Sequence, residues 1–188
     1  MADNRDLHER AVTEFGRLLD NVTDGQWKDG TPCSEWDVAT LVNHVTVGNK
    51  QFAAASRGEK FNFDRTATEA AADPKAAFAE SAKFVAEAFA AEGVDDRMFE
   101  LPFGTLPAQV AIGIHFTDVV VHAWDLARAT GQPPELPQDL VEQAWNISQL
   151  FPDTPEIRGP GGPFAPKVDV PADAPALDRL VGLLGRHP

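Results

Sequence analysis

The sequence predicts an all-α protein, a four-helix up-down bundle with extra C-terminal helical segments and a Pro/Gly-rich strap. In several long segments, apolar residues recur at intervals of three and four, the spacing of the buried face of a helix. No segment shows a convincing alternation of apolar and polar residues, the pattern of a half-buried strand. We expect the bundle over about residues 5–151, and the strap with the terminal helix over 152–188.

The first two predicted helices come before a polar connection. Apolar spacing predicts a helix over about residues 6–24. Ser34-Glu-Trp-Asp37 then matches the capping-box pattern, a hydroxyl followed three residues later by an acid, and predicts that the second helix starts there. This helix is expected to end near Ser56 and carries His44. Residues 57–72 are polar and weakly patterned, which indicates a connection with at most a short helical turn.

Two further long helices follow this connection. Asp73 and Pro74 predict the start of the third helix, because aspartate is a favoured N-cap and proline is tolerated at the first helical position. Gly93 is the residue expected just past its end. The fourth helix, which is the longest and most apolar, is expected from just after Pro107 to Gly131.

The C-terminal part begins with a fifth helical segment over about residues 138–151. Beyond Pro152, closely spaced prolines and glycines leave no room for regular helix and indicate an ordered strap or a mobile arm. Within it, Lys167-Val-Asp-Val170 is expected to pair locally at most. A last short helix is expected over about 174–184, with leucines that need a surface to cover.

Composition and charge restrict the class of protein. The 188 residues, 43% hydrophobic and 24% charged, are typical of one globular domain spanning residues 1–188. The net charge of −13 argues against a nucleic-acid or anionic-membrane partner. The first residues form no apolar leader, and no stretch approaches the roughly 18 apolar residues that span a bilayer. The single cysteine, Cys33, excludes an internal disulfide, and we expect a cytoplasmic protein.

Ionisable side chains recur at helical spacing inside the apolar fourth helix. Asp118 and His122 are four residues apart and project side by side, and His115 lies on the same stripe one turn earlier. Because this helix is apolar almost all round, it is expected to be buried. A buried carboxylate costs several kcal/mol unless it is paired, and a bound cation is one such partner.

A histidine on the second helix completes a candidate metal site. His44 lies among apolar neighbours, and Gly48, four residues on, leaves space above its imidazole for a ligand or for helix packing. His44, Asp118 and His122 would form three protein ligands with coordination left open, the arrangement of catalytic zinc. The alternatives are a core histidine held by hydrogen bonds and an Asp–His pair on a helix surface.

Two motifs carry a resemblance to a known family. They are Thr31-Pro-Cys-Ser-Glu-Trp-Asp-Val38 with Leu41-Val-Asn-His44, and Asp118-Val-Val-Val-His122-Ala-Trp-Asp-Leu-Ala-Arg-Ala-Thr-Gly131. The chain resembles the DinB-like metalloproteins, and within them the actinobacterial branch related to the N-terminal domain of mycothiol-dependent maleylpyruvate isomerase. The ending, Val170-Pro-Ala-Asp-Ala-Pro-Ala-Leu-Asp-Arg-Leu-Val-Gly-Leu-Leu-Gly-Arg186, looks like that of the branch's single-domain members, so the resemblance covers nearly the whole chain.

The resemblance implies a four-helix bundle that binds a divalent metal through His44, Asp118 and His122. Zinc is the first expectation, with manganese, iron or nickel as alternatives, because an aspartate ligand makes the site harder than the histidine of many DinB-like members. The related isomerase carries a further C-terminal domain that contributes to its active site. This sequence shows no such domain, so maleylpyruvate itself is not the expected substrate.

For function, the resemblance implies an enzyme that uses a low-molecular-weight thiol such as mycothiol. The expected reaction is S-transfer or isomerisation of a small electrophile, that is, a transferase or an isomerase. His115 and Asp125 are then candidates to orient a ligand or move a proton, although His115 fits plain packing equally well. Alternatives are a non-catalytic helical module that binds a metal or small ligand, and a metal-dependent hydrolase. The terminal helix and strap suggest a homodimer contact.

Cys33, just before the predicted second helix, and Trp36, in its first turn, are further candidates for a chemical role. A thiol just before a helix N-terminus suggests a nucleophile, but a small residue that fixes the turn is the stronger interpretation. Substitution of Cys33 by serine should then leave activity unchanged. Trp36 is expected in the core or in a pocket wall, where it would be able to stack on a substrate.

Overall fold

The computed structural model describes residues 3–59, 71–158 and 164–188. Within these ranges the protein is mostly helical, as predicted, with one short two-stranded sheet. The chain forms two compact units, Met1–Pro134 and Glu135–Pro188. The predicted connection over residues 57–72 and the Pro160–Pro163 part of the strap lie largely outside the described residues.

Four long helices make up most of the first unit. Helix α1 packs on α3 and α4, and α2 also packs on α3 and α4. Their apolar faces meet in a core that includes Phe15, Leu41, Val85 and Phe116, all essentially inaccessible to solvent. The bounds are α1 (Asn4–Asp20), α2 (Val38–Ser56), α3 (Pro74–Phe89) and α4 (Ala108–Ala129).

Helix α2 begins three residues later than the capping-box pattern predicted. Asp37, not Ser34, is the N-cap, and its Oδ1 accepts from the backbone N–H and the hydroxyl of Thr40 at 2.8 and 2.7 Å. The residues before it form a turn in which Trp36 N–H donates to Cys33 O at 2.8 Å. Ser34 and Asp37 both have side chains suited to an N-cap. The turn places only Asp37 at the start of the helix.

The prediction of no strands is wrong for the segment before α4. Strands β1 (Met98–Leu101) and β2 (Gly104–Pro107) form an antiparallel hairpin, with Phe99 opposite Leu106. Phe99 and Leu101 are buried while Met98 and Glu100 are exposed, so β1 does alternate. The alternation spans only four residues, too few to stand out against the helical pattern. Helix α4 starts directly after β2, as the sequence predicted.

Helix α3 ends at Phe89, before Gly93. Gly93 adopts a left-handed backbone with φ of 72° and starts a short 3-10 turn over Val94–Asp96. The predicted helix stop therefore lies one turn beyond the actual end of α3.

Helix α4, with 22 residues, is the longest helix in the described part of the chain. Among the described residues it is the one helix long and apolar enough, by length and composition, to cross a membrane. This corrects the expectation that no stretch approaches that length. Most of α4 is buried inside the protein, and the core helix of a soluble protein passes the same test, so its composition is weak evidence for a membrane span.

In the described residues of the second unit, the helices are α5 (Gln138–Ser148), α6 (Pro155–Arg158) and α7 (Ala176–Leu183), with α7 packed on α5. Helix α6 corrects the expectation that the strap excludes helix, because proline is tolerated at a helix start. Residues 165–171 have no regular secondary structure, and Val168 N–H donates to Gly182 O at 2.9 Å.

Candidate metal centre

Three side chains predicted as ligands lie together between α2 and α4. His44 Nε2 is 3.3 Å from Asp118 Oδ2, and His122 Nε2 is 3.3 Å from Asp118 Oδ1. One donor atom from each residue lies within 4.8 Å of the other two. The two imidazoles meet at 73° with ring centroids 4.8 Å apart. Asp118 and His122 share one face of α4 because they are four residues apart, and α2 brings His44 opposite them.

The cluster reaches solvent through its carboxylate. The Asp118 side chain is 32% exposed, His44 is 16% exposed and His122 is 6% exposed. Burial alone would raise the pKa of Asp118, but the positive charge of His122 and His44 holds that pKa well below its usual value. Burial likewise opposes protonation of His122, whereas the Asp118 carboxylate raises its pKa well above 6.5. The site thus keeps a carboxylate charged beside two imidazoles.

The second nitrogen of His122 faces another carboxylate. His122 Nδ1 is 2.9 Å from Asp125 Oδ2, and Asp125 is fully buried on the same helix. Nδ1 donates to Asp125, and because the pKa of His122 is raised, Nε2 also carries a proton, which faces Asp118. Loss of the Nε2 proton would leave a lone pair on Nε2 for a metal ion. Asp125 thus contacts the far nitrogen of the His122 ring, and its role in orienting a ligand stays a prediction.

Trp36 lies against the two histidines of the cluster. Its ring centroid is 4.6 Å from that of His44 and 5.7 Å from that of His122. Cys33, three residues earlier, places Sγ 3.3 Å from Asp125 Oδ2. Spacing along the sequence gave no reason to expect this Cys33 contact, because 92 residues separate the two partners. The joint presence of both segments in the family motifs was the signal available.

His115 lies outside this donor cluster. Its Nε2 is 3.0 Å from Asn49 Oδ1, its ring stacks on Phe52, and the ring of His8 is 4.8 Å away. The space expected above His44 at Gly48 is instead occupied by His115, because a Cβ on Gly48 would lie 3.2 Å from His115 Cε1. These contacts are those of a core histidine, and a catalytic role for His115 stays a prediction.

The residues present fit a divalent metal. Two imidazole nitrogens and a carboxylate converge from adjacent helical turns and a facing helix, and this donor set suits zinc and other first-row divalent ions. A neighbouring carboxylate on the far nitrogen of a ligand histidine is the usual companion of such sites. The fold and the cluster define a helical protein with a candidate metal centre built on two of its helices.

The comparisons with known proteins identify the family. Residues 8–127 match the model of the mycothiol maleylpyruvate isomerase N-terminal domain. The chain belongs to this family, in agreement with the DinB-like actinobacterial resemblance of its motifs. Two uncharacterized proteins from two strains of Mycobacterium tuberculosis are each 41% identical over 182 residues, with 95% of both chains covered.

Solved structures support the same fold. The crystal structures of mycothiol-dependent maleylpyruvate isomerase and of a histidine-to-alanine mutant each match with a TM-score of 0.61 and 16% identity. Each match covers 74% of this chain and 65% of the isomerase chain, so this chain spans less than two thirds of that protein. At this identity the likeness shows the fold.

Proposed function

We propose that this protein is a metal-dependent enzyme that uses a low-molecular-weight thiol of the mycothiol type on a small electrophile. The observation that carries the proposal is the convergence of His44 Nε2, the Asp118 carboxylate and His122 Nε2. Membership of a family whose name refers to a mycothiol-dependent isomerase supports the choice of thiol. S-transfer and thiol-assisted isomerisation both belong to this chemistry.

The chain's own residues supply the ligands and their orientation. His44, Asp118 and His122 would hold the ion, and Asp125 would keep the His122 lone pair directed at it. When bound, a divalent ion with an open coordination position would favour the thiolate form of a thiol and so supply a nucleophile. Trp36 forms an aromatic wall beside both histidines, against which an electrophile would be able to stack.

We propose zinc as the resident metal, with manganese, iron or nickel as alternatives. Two imidazoles and one carboxylate suit zinc, and the carboxylate also suits harder ions. We further propose that α1, α2, α3 and α4 form the predicted up-down bundle. Their four pairwise packing contacts support this arrangement.

Metal content tests the site. The full chain, purified without chelators, is compared with His122→Ala and with His187→Ala, a control at an exposed histidine. We expect about one divalent ion per chain in the wild type and in His187→Ala, and little in His122→Ala. Equal, near-zero metal in all three proteins would refute the proposed centre.

The thiol reaction is tested separately on metal-loaded protein. Mycothiol is incubated with a panel of small electrophiles, and free thiol is measured together with product. S-transfer consumes one thiol per product, whereas isomerisation leaves the thiol concentration unchanged. If metal-loaded protein neither accelerates either reaction nor is stabilised thermally by mycothiol, the non-catalytic metal-binding module replaces the enzyme. A homodimer, a cytoplasmic location and the lack of nucleic-acid and membrane partners stay predictions.

A further inference from the structure

The turn before α2 brings the thiol of Cys33 into contact with Asp125, the carboxylate that also contacts His122. Thr31 Oγ1 accepts from the backbone N–H of Cys33 at 3.2 Å and donates to Trp36 O at 3.0 Å, which closes the turn. Cys33 Sγ then lies 3.3 Å from Asp125 Oδ2. The turn therefore fixes the position of the thiol relative to α4.

One oxygen of Asp125 accepts from both neighbours. Oδ2 is 2.9 Å from His122 Nδ1 and 3.3 Å from Cys33 Sγ. Because a carboxylate only accepts hydrogen bonds, the protons of these contacts belong to the imidazole and the thiol. Asp125 is fully buried, so each donor offsets part of the cost of keeping its charge away from water.

We propose that Cys33 is a positioning residue of the metal centre: its thiol donates to Asp125, which in turn holds His122 with Nε2 directed at the ion. This inference rests on the proposed function, because it assigns Cys33 a role only if His122 is a ligand. It differs from the nucleophile that a thiol before a helix suggested. A thiol that donates a hydrogen bond to a buried carboxylate holds that carboxylate in place, and a hydroxyl at the same position would serve similarly.

A competing arrangement uses the same atoms. Cys33 Sγ, His122 Nδ1 and an Asp125 oxygen lie within 4.8 Å of one another, so they also form a candidate donor set. A metal bound there while another occupies the first centre would require His122 to lose the protons of both nitrogens. A hydrogen bond from Nδ1 to Asp125 avoids that cost and leaves Nε2 free to bind, which favours the positioning role.

Cobalt(II) binding to the full chain tests the inference, because cobalt replaces zinc and absorbs visible light. The variants are Cys33→Ser, Cys33→Ala, Asp125→Ala and the double variant Cys33→Ala/Asp125→Ala, with Ser34→Ala as an exposed control. We expect the wild type and Ser34→Ala to bind one cobalt with no thiolate-to-cobalt charge-transfer band. Cys33→Ala should bind cobalt about 10-fold more weakly, because loss of a hydrogen-bond partner of a ligand typically lowers metal affinity by roughly 10- to 100-fold. Cys33→Ser should bind cobalt nearly as tightly as the wild type.

The double variant separates positioning from packing. If Cys33 acts through Asp125, its removal costs little further affinity once Asp125 is alanine, so the double variant should match Asp125→Ala. Three results would overturn the inference: wild-type affinity in Cys33→Ala, equal losses in the serine and alanine variants, or a charge-transfer band that Cys33→Ser abolishes. If the wild type itself binds no cobalt, the proposed metal centre fails first, which is a distinct outcome.

Discussion

The imidazole of His115 stacks on the ring of Phe52, with the ring centroids 4.3 Å apart and the planes inclined by 1°. From His115, a hydrogen-bond chain runs through Asn49 to Ser81, whose hydroxyl donates to Phe78 O. Because the Ser81 proton is used there, Ser81 accepts from Asn49 Nδ2, and Asn49 Oδ1 accepts from His115 Nε2. The chain links α2, α3 and α4 through a neutral His115.

Acid should destabilise the fold through this buried histidine. Burial lowers the pKa of His115 from 6.5 to about 4, with Asp118 opposing the shift, and burial also lowers the pKa of His8. The unfolded chain therefore takes up more protons between these values. His115 contributes its full stability above pH 6.5 and loses it as the pH falls toward 4, a change of up to about 3 kcal/mol.

Chemical unfolding of chelator-treated protein between pH 7 and 4 measures this dependence. His115→Gln carries no titrating imidazole and should show a shallower decline in the free energy of unfolding than the wild type. His187→Gln, at an exposed histidine, is the matched control and should follow the wild type. If the free energy of unfolding declined equally with pH in His115→Gln and the wild type, His115 would not be the group responsible.

Gly48→Ala should destabilise the protein although alanine favours helix. A Cβ there would lie 3.2 Å from His115 Cε1, and the imidazole is held by Phe52 and Asn49. We expect a net loss of about 1 kcal/mol in the free energy of unfolding, as overpacking outweighs helix propensity. In a His115→Ala background the same change should stabilise by roughly 0.5–1 kcal/mol. Destabilisation in both backgrounds would mean that the contact with His115 is not the cause.

Trp36 should report metal binding by its fluorescence. Its ring lies 4.6 Å from His44 and 5.7 Å from His122, so a cation held by both histidines would change the field at the indole. Titration with zinc should alter the emission of the wild type and leave that of Trp36→Phe nearly constant. Metal content measured in parallel shows that the variant still binds. If zinc altered the emission of Trp36→Phe as much as that of the wild type, the ion would lie away from the Trp36 ring.

The helices of the first unit were predictable because each repeats its apolar pattern over several turns. The hairpin was not, because β1 is four residues long and only Phe99 and Leu101 mark its buried side. The start of α2 was misplaced because Ser34 and Asp37 both have N-cap chemistry. Only the turn closed by Thr31 decides between them.

Part of the candidate site was also predictable. Helical spacing predicts that Asp118 and His122 lie side by side, since residues four apart share a face, and the apolar residues around them were needed to single out the pair. His44 needed the apolar pattern around it and the family motif. The approach of Cys33 to Asp125 depends on how the chain folds across a sequence separation of 92, and no local pattern encodes it. The same holds for Gly48, which contacts His115 across helices instead of leaving space at His44.

Gly182→Ala should strongly destabilise the second unit. A Cβ on Gly182 would clash with Val170 Cγ2 and lie 3.2 Å from the backbone oxygen of Val168. Val168 is held in place because its N–H donates to Gly182 O. We expect a loss of about 1–3 kcal/mol by overpacking. Val170→Ala in the same chain removes the closer contact and should recover part of the loss. Urea unfolding measures both, and equal stability of wild type and Gly182→Ala would contradict the close approach.

Asp118 should determine both the strength and the selectivity of metal binding. Asp118→Asn keeps the shape of the side chain but removes the charge that balances the ion and the two imidazoles, so affinity should fall by more than the roughly 10- to 100-fold caused by losing a partner behind a ligand. Asp20→Asn makes the same change in net charge at an exposed position and should bind like the wild type.

Asp118→His tests selectivity at the same position. Three imidazoles suit zinc and nickel better than manganese, which prefers oxygen ligands, so this variant should retain zinc while its ratio of zinc to manganese affinity rises. Competition titrations of the two metals measure that ratio. If Asp118→Asn binds as tightly as Asp20→Asn, or if Asp118→His leaves the ratio unchanged, the carboxylate is not a ligand. The 3.3 Å contacts of Asp118 with His44 and His122 would then be ion pairs of a metal-free core.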